Sequence, residues 1–362
     1  MALPLKDAFT ARALGIAWDN YQKTLGLPPY LGRSFFATDK MEGLDLKYIK
    51  GSEGLPVSLK RSSFDALAEL RDPLTFSEEE QEMPFFRESY LVKEKDEQEY
   101  MRIASSADDV YAQQVLKNIM LTPMKLVEGA NVIPEREIWQ LLAPEDGSPK
   151  IVFTVGDTEL KEANYDISGD YQESHFIELT DTDLWSDSDN STPIEDLVEA
   201  QEQHLENTGE NLSTFIMNQK TWKAFCTADD TKKQVLGVLA YQNGMRATEN
   251  DVKAYLLENY GIEILVYNKL YYGEDGLSHT FIPDGIVSAI ASGVTTLGTV
   301  WYGTTPEMRS GSISTGNLSI VETGVSIYSY TTPHPVNTHC VVSEIVLPSY
   351  EHMNSTFVMK VM

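Results

Sequence analysis

Cysteine is almost absent: Cys226 and Cys340 are the only two in 362 residues. So few thiols exclude a disulfide scaffold and any thiolate cluster for zinc, and they suit a reducing cytoplasm. Long apolar runs are missing as well. The closest approach, from Ile286 to Val300, is broken by Ser, Thr and Gly, which excludes a transmembrane helix there. The opening MALPLKDAFTARALGIAWDNY places an early acid and an Arg in a weakly apolar stretch and does not read as a secretory signal. Bases are scarce too: 28 Lys and Arg face 55 Asp and Glu, for a formal charge of −27. A field of that sign repels phosphate backbones and disfavours extensive nucleic-acid binding, although an acidic wall can still enclose a packed polymer.

The familiar catalytic signatures are also lacking. There is no HExxH, no GxxxxGK[ST], no GxGxxG and no GxSxG, so no zinc helix, phosphate loop, dinucleotide turn or nucleophile elbow is indicated, and we expect neither an enzyme nor a cofactor. His175, His204, His279, His334, His339 and His352 are never spaced i, i+4. His339 and Cys340 are neighbours, but adjacent side chains on a strand face opposite ways and make a poor base–nucleophile pair. Asp181, Asp183, Asp187 and Asp189 alternate as calcium ligands do, yet the glycine and bidentate glutamate of a calcium loop are misplaced. They read as a solvated loop, and no metal site is expected.

What is present is an apolar fraction of 42% with aromatics spread along the chain, enough for one large core or two moderate ones. Residues 1–31 read as an N-terminal arm. Leu14, Ile16, Ala17, Trp18, Tyr21 and Leu25 offer an apolar face before Pro28 and Pro29. Residues 32–90 read as an extended loop region with short β-like pieces at 46–51 and 55–61. The best long helix is 96–122, acidic at its start and limited by Pro123, with Tyr111 on its apolar stripe; a short second helix follows at 134–144. Together they occupy a segment from 91 to 155.

Residues 156–210 form an acidic segment. From 157 to 210 there are 17 acids and a single base, Lys161, the strongest regional signal in the chain. A helix over 192–209 is expected, with a Thr192 cap and a stripe of Ile194, Leu197, Val198 and Leu205. The stretch 211–320 reads as α/β: strand 212–218, a short helix carrying Trp222 and Phe225, helix 250–261, strand 262–268 and a hairpin at Glu274-Asp275-Gly276. Trp222 and Phe225 are expected to pin that short helix to strands. Trp301 and Tyr302 sit in a connection shaped by Gly298, Gly303 and Pro306, where an aromatic assembly contact is expected. The last stretch, 321–362, is β-rich and nearly uncharged, its closing pieces CVVSEIVLP and STFVMKVM reading as strands joined by a turn.

Three segments carry a family resemblance. NLSTFIMNQKTWKAF (211–225), IEILVYN followed by YYGEDGLSHTFIPDG up to residue 285, and GVTTLGTVWYGTTPE (293–307) resemble, in order, segments of the major capsid proteins of tailed phages, specifically the lambda-type major head protein family. The second contains the Phe281-Ile282-Pro283-Asp284 element. The resemblance implies an α+β, HK97-like phage major capsid fold with N-terminal arm, extended loop, long spine helix, and peripheral and axial domains, the peripheral one with its spine helix falling in 91–155, the axial one mainly in 211–320, and the chain returning to the peripheral domain at 321–362. It further implies many copies assembling as pentamers and hexamers of an icosahedral shell around phage DNA, bound without sequence specificity. Scaffolding, portal and decoration proteins are the implied partners, the virion the destination and the host cytoplasm the place of assembly. Trp18, Tyr21, Tyr111, Trp222, Phe225, Phe281, Pro283, Asp284, Trp301 and Tyr302 are the candidates for assembly or fold-critical roles. Other readings left open are a soluble enzyme or carbohydrate-binding protein with an acidic cleft, and another virion component such as a tail-tube or decoration protein.

Overall fold

The computed structural model describes residues 10–25, 30–50, 77–105, 109–155, 159–273, 275–309 and 317–362; the β-like piece expected at 55–61 lies outside them. In chain order, helix α1 (Ala11–Leu25) precedes strands β1 (Phe36–Met41), β2 (Asp45–Lys50), β3 (Ser77–Glu82) and β4 (Phe85–Val92), then helices α2 (Glu94–Ser105) and α3 (Asp109–Leu142). Next come β5 (Lys150–Val155), β6 (Glu159–Asn164), α4 (Asp170–His175), β7 (Phe176–Glu178), α5 (Pro193–Thr208) and β8 (Leu212–Met217). Helices α6 (Gln219–Thr227), α7 (Asp229–Leu236), α8 (Val238–Gln242) and α9 (Glu249–Tyr260) lead to β9 (Glu263–Val266), β10 (Leu270–Tyr272), β11 (Ser278–Thr280) and β12 (Ile286–Ala291). Strand β13 (Gly298–Gly303), α10 (Pro306–Arg309), β14 (Leu318–Val321), β15 (Val325–Pro333), β16 (Val336–Pro348) and β17 (Thr356–Lys360) complete the order.

The chain forms two compact units. Unit 1 gathers Met1–Leu46, Glu80–Arg136 and Thr299–Ser349; unit 2 gathers Lys47–Glu79, Glu137–Gly298 and Tyr350–Met362. The crossings at Arg136, Gly298 and Ser349 do not coincide with the shifts in composition, because long-range strand pairing, not local charge, decides which segments cohere.

In unit 1, β16 is the organising strand. It pairs antiparallel with β15 from Val336 to Ser343, with β4 from Thr338 to Ile345, and with β13 through Val346, Leu347 and Pro348. β14 extends the sheet beyond β15, and β1 beyond β13. Helix α1 packs on this sheet. Its Leu14 and Trp18 join Val321, Val325, Ile327, Cys340 and Val342 from the strands and Met124 and Val127 from α3. Ile16, expected on the same face, points to solvent and is 56% exposed, because it falls between the i, i+3, i+7 positions of the buried stripe.

The helix expected over 96–122 falls on α2 and, beyond residues 106–108, on α3, which does not stop at Pro123. Helix α3 runs through Pro123 and Pro134 to Leu142 and so absorbs the separate helix expected after 134. Each interior proline removes one backbone donor at a cost of about 3 kcal/mol. The downstream half offsets that cost by burying Met124, Val127, Ile138, Trp139, Leu141 and Leu142, at roughly 1.5–3 kcal/mol for each large side chain.

Unit 2 is built on a mixed sheet ordered β7-β17-β12-β8-β9. β12 is antiparallel to both β17 and β8, whereas β8–β9 and β17–β7 are parallel. One face of the sheet presents Phe215, Met217, Val287, Ala289, Phe357 and Met359, and against it pack Ile194 and Leu197 of α5, Trp222 and Phe225 of α6, and Val252 and Leu256 of α9. The hairpin read at residues 274–276 is present as β10–β11. The two closing strands are joined by the short turn of residues 349–355, as expected, but they enter different sheets. β16 belongs to unit 1 and β17 to the unit 2 sheet, where every residue of β12 is buried, so that strand needs a neighbour on each side.

Helix α5 departs from expectation in two details. Thr192 occupies the cap position without a side-chain capping bond, and Pro193 stands first in the helix, where its missing N–H costs nothing. The buried face is Ile194, Leu197, Ala200, Gln201 and His204, while Leu205 is exposed.

Candidate functional site

Two of the three recognised segments meet in unit 2. Strand β8 ends at Met217, and Asn218, in extended conformation, begins α6: its Oδ1 accepts from Thr221 N and from Thr221 Oγ1, both at 2.9 Å. That satisfies one of the donors left open at a helix start. Its Nδ2 donates to Asp284 Oδ1 at 2.7 Å and to the Ile282 carbonyl at 3.2 Å. Thr221 Oγ1 in turn accepts from Gly285 N at 2.9 Å. The Asn218–Trp222 turn and the Phe281–Gly285 turn are thus laced together by hydrogen bonds. Lys220 Nζ closes the outer side, 2.6 Å from Asp284 Oδ2. Its cationic hydrogen bond, together with the one from Asn218, holds the Asp284 carboxyl below the usual carboxylate range against some opposing desolvation.

The aromatic residues lie on the core side of this junction. Trp222 and Phe225 are fully buried and stacked, their ring centroids 5.2 Å apart, and Trp222 Nε1 donates to Glu249 Oε2 at 3.1 Å. Phe281 is buried beside Tyr271 and Tyr267, at 4.8 and 5.9 Å. Pro283 is half-buried and Asp284 exposed.

The remaining candidates are in unit 1 and do not join this junction. Trp301 is half-buried, and its Nε1 donates to Ser349 Oγ at 3.0 Å. Tyr302, expected in an assembly contact, is buried in its own unit: Gly324 lies against it so closely that a Cβ there would overlap the ring. Trp18 is buried, with Tyr21 at 5.8 Å, and Tyr21 Oη donates to Glu128 Oε2 at 3.4 Å. The Tyr111 side chain lies outside the described residues.

Sequence reasoning missed a polar clamp in unit 1. Glu135 of α3, fully buried, accepts from Gly32 N at 2.9 Å and Arg33 N at 3.1 Å. Arg33 donates through Nη2 to the Asn131 carbonyl and lies 3.6 Å from Glu322, which also accepts from Asn131 Nδ2 at 2.9 Å. The residues that enter the 32–90 region are therefore fastened to α3. A signal was available: Glu135 sits i, i+3, i+4, i+7 with Ile138, Trp139 and Leu142, so it is a carboxylate on an apolar face.

Comparison with known proteins gives the context. The family model described as phage major capsid protein E matches residues 10–360. Among solved structures, a putative capsid protein of a prophage from E. coli CFT073 superposes with a TM-score of 0.58 at 14% identity, covering 100% of both chains. A phage-related protein from Bordetella bronchiseptica RB50 superposes with a TM-score of 0.50 at 13% identity, covering 97% of this chain and 96% of that one. No curated protein sequence matches. With the family model spanning nearly every residue and the fold shared from end to end with a prophage capsid protein, the α+β architecture is the HK97-like one, and the chain belongs to the phage major capsid protein E family, as a structural subunit of a capsid shell.

Proposed function

We propose that many copies of this chain build the pentamers and hexamers of an icosahedral head that encloses phage DNA without reading its sequence. The family match over residues 10–360 carries this reading. The charge of −27 supports it, since a strongly acidic wall encloses packed nucleic acid without adhering to it. The Asn218–Asp284 junction, the Trp222–Phe225 stack and Phe281 serve to hold unit 2 as a rigid body, because closed shells need copies with geometrically compatible contacts. Trp18 and Tyr21 anchor the N-terminal segment, and the Glu135 clamp fixes the entry to the 32–90 loop. Portal and scaffolding proteins, with decoration proteins on the outer surface, are the partners, and assembly takes place in the host cytoplasm before the subunit reaches the virion.

The test is electron microscopy of the full-length chain over a series of salt and subunit concentrations. Closed shells or flat hexameric sheets are expected; monodisperse monomers throughout, even with a scaffold supplied, would overturn the reading.

A further inference from the structure

Within unit 2 the segment Gly237–Arg246 breaks the rule that apolar residues of a short helix face a core. Helix α8 is Val-Leu-Ala-Tyr-Gln, and none of its residues is buried. Val238 is 57% exposed, Leu239 79% and the following Met245 61%. Gly237 and Gly244, at φ of 78° and 76°, supply the left-handed backbone at the two ends of the turn, and the Tyr241 hydroxyl is hydrogen-bonded to Asp229 of α7. Three large apolar side chains kept in water on so short an excursion call for a cover. A cation stands at each end of the turn, Lys233 with its Nζ 5.6 Å from the Tyr241 ring centroid and Arg246 after Met245, while Asp229 and Asp189 act on the inner side at Tyr241.

What covers it is indicated by charge. Subunits that each carry −27 repel one another, so contact between copies requires local patches of opposite sign. The outer face of α5 has the complementary make-up. Glu195, Glu199, Glu202 and Glu206 recur at helical spacing and are all exposed, and Leu205, 47% exposed, lies beside the last two. An exposed apolar turn with an exposed cation at each end thus has a counterpart in an acidic stripe with an apolar residue at its end.

We propose that the α8 excursion of one copy docks on the outer face of α5 of a second copy. The inference rests on the shell reading above and deepens it by naming an interface. Because the two surfaces are different, the contact is head-to-tail, the kind that generates closed rings when the rotation closes. Leu239 and Met245 supply the apolar contact beside Leu205, while Lys233 and Arg246 meet the glutamates.

The test is a charge swap in the full-length chain, read as the subunit concentration at which half the protein is in particles at low ionic strength. Lys233→Glu with Arg246→Glu, and separately Glu202→Lys with Glu206→Lys, should each raise that concentration by about tenfold or more. The four changes together should return it to within about threefold of the unaltered chain. Leu239→Ser should raise it without any charge change. All of these residues are exposed, so the unfolding midpoint of the dissociated subunit serves as a folding control. A threshold moved by neither pair overturns the interface. A threshold moved by Leu239→Ser, with no rescue by the swap, overturns α5 as the occupant. If the unaltered chain forms no particles in any condition, the shell reading itself falls, and this inference with it.

Discussion

Asn218 Nδ2 and Asp284 Oδ1 lie 2.7 Å apart, joining two turns separated by 66 residues of sequence. The two partners are unequal. Asn218 is buried and also caps α6 and donates to Ile282 O, whereas Asp284 is exposed and its other partner is the exposed Lys220. Asn218→Ala removes a cap and leaves buried groups unpaired, for an expected loss of about 2–4 kcal/mol. Asp284→Ala leaves the Asn218 amide bonded to Ile282 O and is expected to cost less than about 1.5 kcal/mol. Urea unfolding of the two variants checks the order; an equal or larger loss for Asp284→Ala would contradict it.

The same junction marks what the sequence made legible. Period-two and helical patterns identified β8, α6, α9, β9 and the β10–β11 hairpin, and they placed Trp222 and Phe225 in a core, because those signals are local. The bond between Asn218 and Asp284 is not local, and no pattern in one chain reports it. For the same reason β16 and β17 were readable as strands but not as members of different sheets: alternation tells which face is buried, never which strand is the neighbour. Pro123 misled in the opposite direction, since a local breaker was overridden by burial along α3. His204 was within reach, seven residues after Leu197 on one helix face, but a histidine on that face is easily discounted as solvent-facing.

Gly285 ends the Phe281–Asp284 element at φ of 77°, and a Cβ there would lie 2.6 Å from Met362 Cβ and 3.1 Å from Met362 N. Both the backbone conformation and the space demand glycine. Gly285→Ala should destabilise unit 2 by about 2 kcal/mol or more. Gly169, also at positive φ (81°) but with no atom near a built Cβ, should lose only about 1 kcal/mol on the same change. Thermal unfolding of the pair separates strain from crowding.

Glu135 holds the backbone N–H groups of Gly32 and Arg33 from inside unit 1. Glu135→Ala strands both donors and opens space in the core, and should cost about 3–5 kcal/mol. Glu135→Gln keeps one acceptor oxygen and the volume, and should cost less than half as much. The clamp is also expected to leave a kinetic trace: in Glu135→Ala the amides of residues 32–33 should exchange with deuterium at least about tenfold faster than in the unaltered chain. Exchange that stays slow would show that the loop entry is held by other contacts.

His204 supplies the acid response of unit 2. It is fully buried, edge-on to His175 with ring centroids 5.4 Å apart and to Phe357 at 6.1 Å. Burial, with the charge of His175 adding to it, lowers its pKa from 6.5 to about 4. The unfolded chain then binds more protons than the folded one between those values, so this contribution to stability is complete above pH 6.5 and is lost as pH falls toward 4. Asp196 works the other way. Burial raises its pKa from 3.8 to about 6 even though it accepts a 2.7 Å hydrogen bond from Trp185 Nε1, so its charged form is a cost that is relieved as pH falls through 6. The two effects partly cancel in the unaltered chain, and the histidine is exposed by difference. His204→Phe should gain roughly 2–4 kcal/mol relative to the unaltered chain between pH 7.5 and pH 4, measured as urea midpoints at each pH. Asp196→Asn should shift the balance in the opposite sense, because the relief at low pH disappears and the histidine penalty stands alone. Parallel pH profiles for His204→Phe and the unaltered chain would mean that His204 titrates in the folded subunit as it does in the unfolded one.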